Sequence, residues 1–216
     1  MLIDASVARS FAVIGWTRHL VQVTGGTILL ADGVHGREPD DASELRNIRA
    51  ALQRRVDQAG LGSGHASRAL AAIAGLDELL TLQPPELSVL SLTEYEFELA
   101  VRLQSRRPDD RAWRHSLGAR SRRLDGGESA SIAIASSRAL AFASDDEDAL
   151  ILWQALTATP PRRTRDLFWQ LVTEGAVPER DAQAMYDMFQ ADDLHNLGGP
   201  SWIATQQPHL ANSSDA

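Results

Sequence analysis

The chain contains no cysteine and no lysine. Without cysteine, disulfides, thiol nucleophiles and Cys-built zinc or iron–sulfur sites are excluded. Without lysine, all 21 basic residues are arginine. Histidine is scarce, at positions 19, 35, 65, 115, 195 and 209, and no two stand at the close helical spacing of H-E-x-x-H. A metal site built on histidine is therefore not expected. No apolar run approaches the roughly 18–20 residues of a membrane span. The first residues lack the basic stretch, apolar run and cleavage site of a signal peptide, so the expectation is a cytoplasmic protein with no membrane partner. Acid is what the chain has in excess: 29 Asp and Glu against 21 Arg, a net charge of −8. Such a balance excludes nucleic-acid binding through the overall field and leaves only a local basic patch for it. Carboxylates are the abundant metal ligands, and they suit Mg²⁺ or Mn²⁺. The 216 residues, 44% hydrophobic and 23% charged, suffice for one sizeable core with appended helices.

Short apolar runs alternate with helical periodicity. Strands are expected at Leu2-Ile3-Asp4, Thr27–Ala31, Ser88–Leu92 and Ala141–Ser144, the first and last ending in acid. Helical stripes are expected over Ser6–Val23, from Asp41 to Val56, over Ala66–Leu82, from Glu94 to Gln104 and over Ser129–Leu140. Asp41-Ala-Ser-Glu44 and Thr93-Glu-Tyr-Glu96 read as capping boxes. Two further helices follow Pro160-Pro161, over Arg165–Glu174 and Pro178–Phe189. This order predicts an α/β fold with a mostly parallel sheet and extra C-terminal helices. The expected divisions are 1–150 for the main domain, 151–203 for a helical extension packed on it, and 204–216 for a disordered tail. In such sheets the site lies beyond the carboxyl ends of the strands. Asp4 and Asp145 each close a strand there. If both strands are central, their carboxylates converge and call for a cation.

Two stretches resemble the PIN-domain ribonucleases. Leu2-Ile3-Asp4-Ala5-Ser6 is similar to that family's first motif, a strand-end Asp followed two residues later by Ser or Thr. Gly126-Gly127-Glu128 and then Ala143-Ser144-Asp145-Asp146 resemble the later motifs of the branch with a Gly-Glu helix start, related to VapC-type toxins. The resemblance covers about residues 1–150 and implies a three-layer α/β/α domain. It implies an acid cluster that holds Mg²⁺ or Mn²⁺ and cleaves RNA phosphodiester bonds with metal-activated water. It also extends the expected partners to RNA, an antitoxin protein and a second copy of the chain.

Carried over residue by residue, the resemblance implies catalytic roles for Asp4, Glu128 and Asp145, with Asp4, Glu128, Asp145 and Asp146 as metal ligands. Ser6 would orient Asp4 or bind a phosphate, or simply cap the helix; Asp146 would serve as ligand or helix cap. The family's second acid falls after the second strand, where Glu38 is the choice, Glu44 the alternative and Asp32 the third. An arginine-rich stretch includes Arg102, Arg106, Arg107, Arg111 and Arg114, then Arg120, Arg122 and Arg123, with Trp113 among them. It reads equally as a phosphate-binding strip, with Arg120, Arg122 and Arg123 as its substrate-binding end, or as a solvated face paired with Asp109, Asp110 and Glu98. A catalytically inactive PIN-like scaffold is the alternative function. A haloacid-dehalogenase-type phosphotransferase ranks below both: it wants a second Asp where Ser6 stands, and a lysine that the chain lacks.

Overall fold

A computed structural model describes residues 1–36, 42–59, 64–119 and 124–191. The elements in chain order are β1 (Leu2–Ile3), α1 (Ala5–Val13), α2 (Thr17–Val23), β2 (Ile28–Ala31), α3 (Asp32–His35), α4 (Glu44–Ala59), α5 (Gly64–Thr81) and β3 (Leu87–Leu90). They continue with α6 (Glu94–Gln104), α7 (Pro108–Ser116), α8 (Gly126–Ser137), β4 (Phe142–Ala143), α9 (Glu147–Thr157), α10 (Thr164–Thr173) and α11 (Glu179–Ala191). The strands form one four-stranded sheet in the order β3-β2-β1-β4, parallel throughout. This is the expected α/β class, and the arrangement is compatible with three α/β/α layers.

The apolar runs fell where the strands are, because a parallel strand buried on both faces needs consecutive aliphatic residues. Leu2, Ile3, Ile28, Leu30 and Phe142 are all buried. β1 is interior, but β4 ends the strand order, so only one of the two acid-bearing strands is central. The outer edge of β4 is covered by the backbone of Arg162, which exchanges hydrogen bonds with Phe142 and Ser144 at 3.0 Å each.

The single stripe expected over Ser6–Val23 is two helices. Gly15 adopts a left-handed φ of 70°. Its N–H donates to the Ala12 carbonyl, and the Trp16 N–H donates back to Phe11. This is the Schellman stop that a glycine favours. Helix α8 is buried from Gly127 to Ala135; its run of Ser and Ala lets it pack closely on β1, β2 and α6. Glu96 and Arg138 tie the α6 start to the end of α8, with Arg138 Nε 2.7 Å from Glu96 Oε1 and Nη2 2.7 Å from Oε2. The Thr93–Glu96 capping box is present as expected.

The chain divides into two compact units, Met1–Arg163 and Thr164–Ala216. Position 150 falls inside α9, a helix of the first unit. In the second unit α10 packs on α11, with Leu171, Val177 and Ala182 buried. The segment 204–216 lies outside the described residues. Among those described, no helix is long and apolar enough to cross a membrane.

Candidate active site

Asp4 directly follows the interior strand β1 and is 1% exposed. The β1–β4 register pairs Ile3 with Ala143, so the residue beside Asp4 is Ser144 rather than the expected Asp145. Ser144 Oγ donates to Asp4 Oδ2 at 2.9 Å, and Ser6 Oγ donates to the same oxygen at 3.1 Å. Each hydroxyl also accepts from the chain after β4: Asp145 N–H donates to Ser6 Oγ and Asp146 N–H to Ser144 Oγ. Ser6 and Ser144 therefore hold the same oxygen of Asp4. Both hydroxyls go to Oδ2, and Asp4 Oδ1 is buried with no hydrogen-bond partner. Asp4 sits at the N-cap position of α1, yet its side chain makes no cap hydrogen bond. Burial pushes its carboxyl up to about 6, against the lowering effect of the two hydroxyls.

A second acid comes from the start of α4. Here Ser43 precedes the helix, with Asn47 N–H on its carbonyl and Arg46 N–H 3.4 Å from its Oγ. The expected box had Asp41 as cap and Glu44 three residues into the helix. α4 begins at Glu44. Asp41 lies outside the described residues, as does Glu38, the first choice for the second acid. Glu44, the alternative, stands in the field of Asp4, Asp125 and Glu128. Its Oε2 is buried without a partner. Burial, and then the charges of Asp4, Asp125 and Glu128, push its carboxyl to about 8.

Glu128 arrives from the start of α8. It forms a capping box with Asp125: Glu128 N–H donates to Asp125 Oδ1 at 2.9 Å, and Asp125 N–H donates to Glu128 Oε2 at 3.0 Å. The capping and cluster roles are therefore combined in one side chain. Glu128 is 7% exposed, and burial followed by the nearby Asp125, Asp146 and Asp4 raises its carboxyl to about 8. Gly127 brings the two helix starts together, since a Cβ there would overlap Glu44 Oε2 and sit 3.1 Å from Val34 Cγ2.

Asp145 and Asp146 are both half-buried. Asp146 caps α9, accepting from Ala149 N–H at 3.0 Å. Asp145 contributes its charge to Arg9, whose guanidinium also lies in the fields of Glu44 and Asp4. Arg9 is thus the internal counter-charge of the cluster. Sequence reasoning passed over Arg9, Asp125 and Ser144. Arg9 carried no motif. Asp125-Gly-Gly-Glu128 had a capping-box spacing that could have revealed its first acid.

The arginine stretch has structural work in its described part. Arg102 lies 3.9 Å over the Trp113 ring and 3.3 Å from Asp110. Arg114 is buried and donates to the Arg102 and Ser105 carbonyls. Arg120, Arg122 and Arg123 lie outside the described residues.

Beside the cluster, at the carboxyl ends of β2 and β3, a cavity of about 550 Å³ is lined by residues including Asp32, Ser91 and Ala130. Among the described residues, no group of three or more His, Cys, Asp or Glu is arranged to hold a metal ion. Comparison with protein-family models, curated proteins and solved structures finds no significant match.

Proposed function

We propose that the first unit is a PIN-like, Mg²⁺- or Mn²⁺-dependent ribonuclease. The observation that carries this reading is the buried Asp4 carboxylate at the end of β1, its Oδ1 unpartnered, with Asp125 beside it and with Glu44 and Glu128 close enough that neighbouring acids disfavour their charge. Buried carboxylates without partners are costly, and a divalent cation relieves that cost with the hard oxygen ligands it prefers. The orphaned Asp4 Oδ1 and Glu44 Oε2 fit such an ion. Asp4 and Glu44 would hold it, with Glu128, Asp125 and Asp145 nearby.

When bound, such a cation activates water and stabilises charge on a phosphodiester. The chain's own residues supply the rest. Ser6 and Ser144 fix Asp4 Oδ2 and leave Oδ1 as the atom that would face a cation. Arg9 offsets part of the negative field, so that a phosphate meets less repulsion.

Melting with and without millimolar Mn²⁺ tests this reading, together with cleavage of an unstructured RNA. The expected result is a raised Tm and cleavage, both lost in the Asp4→Asn, Glu44→Gln double variant. The lack of a three-acid arrangement among the described residues favours a second reading, an inactive PIN-like scaffold. No Mn²⁺ shift and no cleavage by the intact protein would select it.

A further inference from the structure

Among the described residues, three of the four large apolar side chains that stand exposed lie on one helix. They are Tyr95, Phe97 and Val101 of α6, which are 69%, 57% and 48% exposed. The opposite side of α6 buries Glu96, Ala100 and Leu103, and the helix packs on α8. The exposed three therefore lie outside the core. Phe97 and Val101 stand one turn apart, and Glu94 and Glu98 run beside them, since positions three and four apart on a helix are neighbours. An exposed apolar cluster with a polar border marks an interaction surface.

The charges around this cluster are divided by sign. Glu94 and Glu98 are exposed on the first two turns of α6. Arg106, Arg107 and Arg111 are exposed where α6 gives way to α7. The exposed Asp109 offsets only part of their charge. That end is held firm: Arg114 donates to the Arg102 and Ser105 carbonyls, while Arg102 lies over Trp113 and pairs with Asp110. Among the described residues, no ion pair occupies Glu94, Glu98, Arg106, Arg107 or Arg111.

We propose that this face of α6 binds a second copy of the chain, antiparallel, about a two-fold axis level with Leu99. A face that is acidic at one end, basic at the other and apolar between them is complementary to itself when turned end for end. A two-fold interface requires that self-complementarity. With the axis level with Leu99, Phe97 lies opposite the partner's Val101, and Val101 opposite the partner's Phe97. Glu94 falls opposite the partner's Gln104, two residues from the partner's Arg106. A partner of one charge sign would meet its own sign at one end of the face, and like charges brought together are costly. Burial of the ring and the aliphatic group supplies affinity, and the charged ends set the register. The acid cluster takes no part, so the pairing is independent of the ribonuclease reading.

The test is sedimentation equilibrium of the full chain at micromolar concentrations, in low and in high salt. The expected mass is twice the 23.5 kDa of one chain, with weaker association in high salt, where the charged ends are screened. Phe97→Asp is expected to give a folded monomer, and Val101→Asp serves if that variant does not fold. Glu94→Arg with Glu98→Arg, and separately Arg106→Glu with Arg107→Glu, should each weaken association about tenfold. All four charge reversals together should restore it, which a merely structural role for these residues would not produce. A chain that is monomeric under all these conditions overturns the proposal and leaves the face to a different partner or to solvent, whether or not the chain cuts RNA. A dimer untouched by Phe97→Asp, by Val101→Asp and by the charge reversals also overturns it, because its contact then lies elsewhere.

Discussion

Ser144 Oγ donates to Asp4 Oδ2 across the β1–β4 register at 2.9 Å. That contact joins two strands 140 residues apart in sequence and decides which Asp4 oxygen is left over. It also lowers the Asp4 carboxyl against the burial that raises it. Ser144→Ala should therefore push Asp4 above its value of about 6. The lost bond to a charged group should cost about 1.5–3 kcal/mol of stability. Carboxyl NMR titration with a urea melt checks both; an Asp4 that titrates no higher in the variant would remove Ser144 from this role.

The acid cluster makes stability depend on pH. Asp4 rises from 3.8 to about 6, and Glu44 and Glu128 each rise from 4.5 to about 8. The folded state therefore keeps protons that the unfolded chain has released. The stability this lends is fully present below about pH 4 and is lost as pH rises through 6 and then 8. Tm should climb as pH is lowered from 8.5 to 5. Within that range Mn²⁺ should raise Tm most at the alkaline end, where the carboxylates are most ionised. A Tm that rises monotonically between pH 5 and 8.5 would contradict the raised values.

Glu96 works with the opposite sign. Its hydrogen-bonded pairing with Arg138 holds the carboxyl down at about 2, from 4.5. That contribution is present above pH 4.5 and lost as pH falls toward 2. Glu96→Gln preserves the capping box, since Gln also serves at that position, and so isolates the charge. The variant should lose about 1–3 kcal/mol at pH 7. The gap to the parent should close as the pH approaches 2, as measured by denaturant midpoints across the range.

Asp4 was legible because a short aliphatic run ending in an acid can be read one residue at a time. The strands were legible for the same reason: Leu2-Ile3 and Phe142-Ala143 are buried on both faces and carry no competing periodicity. Glu38 was preferred to Glu44 on its spacing after the second strand, and it lies outside the described residues. Glu44 meets Gly127 where the starts of α4 and α8 approach each other. That meeting joins segments far apart in the chain, and local spacing does not record it. Arg9 was invisible for another reason: its partners come from three segments, through Asp4, Glu44 and Asp145.

Two glycine-to-alanine substitutions separate support of the fold from shaping of the site. On a helix interior such a change ordinarily stabilises by about 1 kcal/mol. Gly75 lies in α5 where it crosses α1, and a Cβ there would overlap the carbonyl oxygen of Ala12. That atom belongs to a helix backbone and cannot yield without moving α1, so Gly75→Ala should destabilise by about 1–3 kcal/mol, with the site chemistry intact in the molecules that remain folded. At Gly127 the overlap is with Glu44 Oε2, the far end of a flexible side chain. Gly127→Ala should displace that carboxylate and leave the helices in place. The expected signature is a small change in Tm, a Glu44 carboxyl that returns toward 4.5 from about 8, and a loss of Mn²⁺ response and RNA cleavage greater than in Gly75→Ala. If Gly127→Ala instead unfolds the chain while Gly75→Ala is neutral, the close approach is at the wrong helix pair. If Gly127→Ala keeps full activity, Glu44 does not act through the position it occupies beside Gly127.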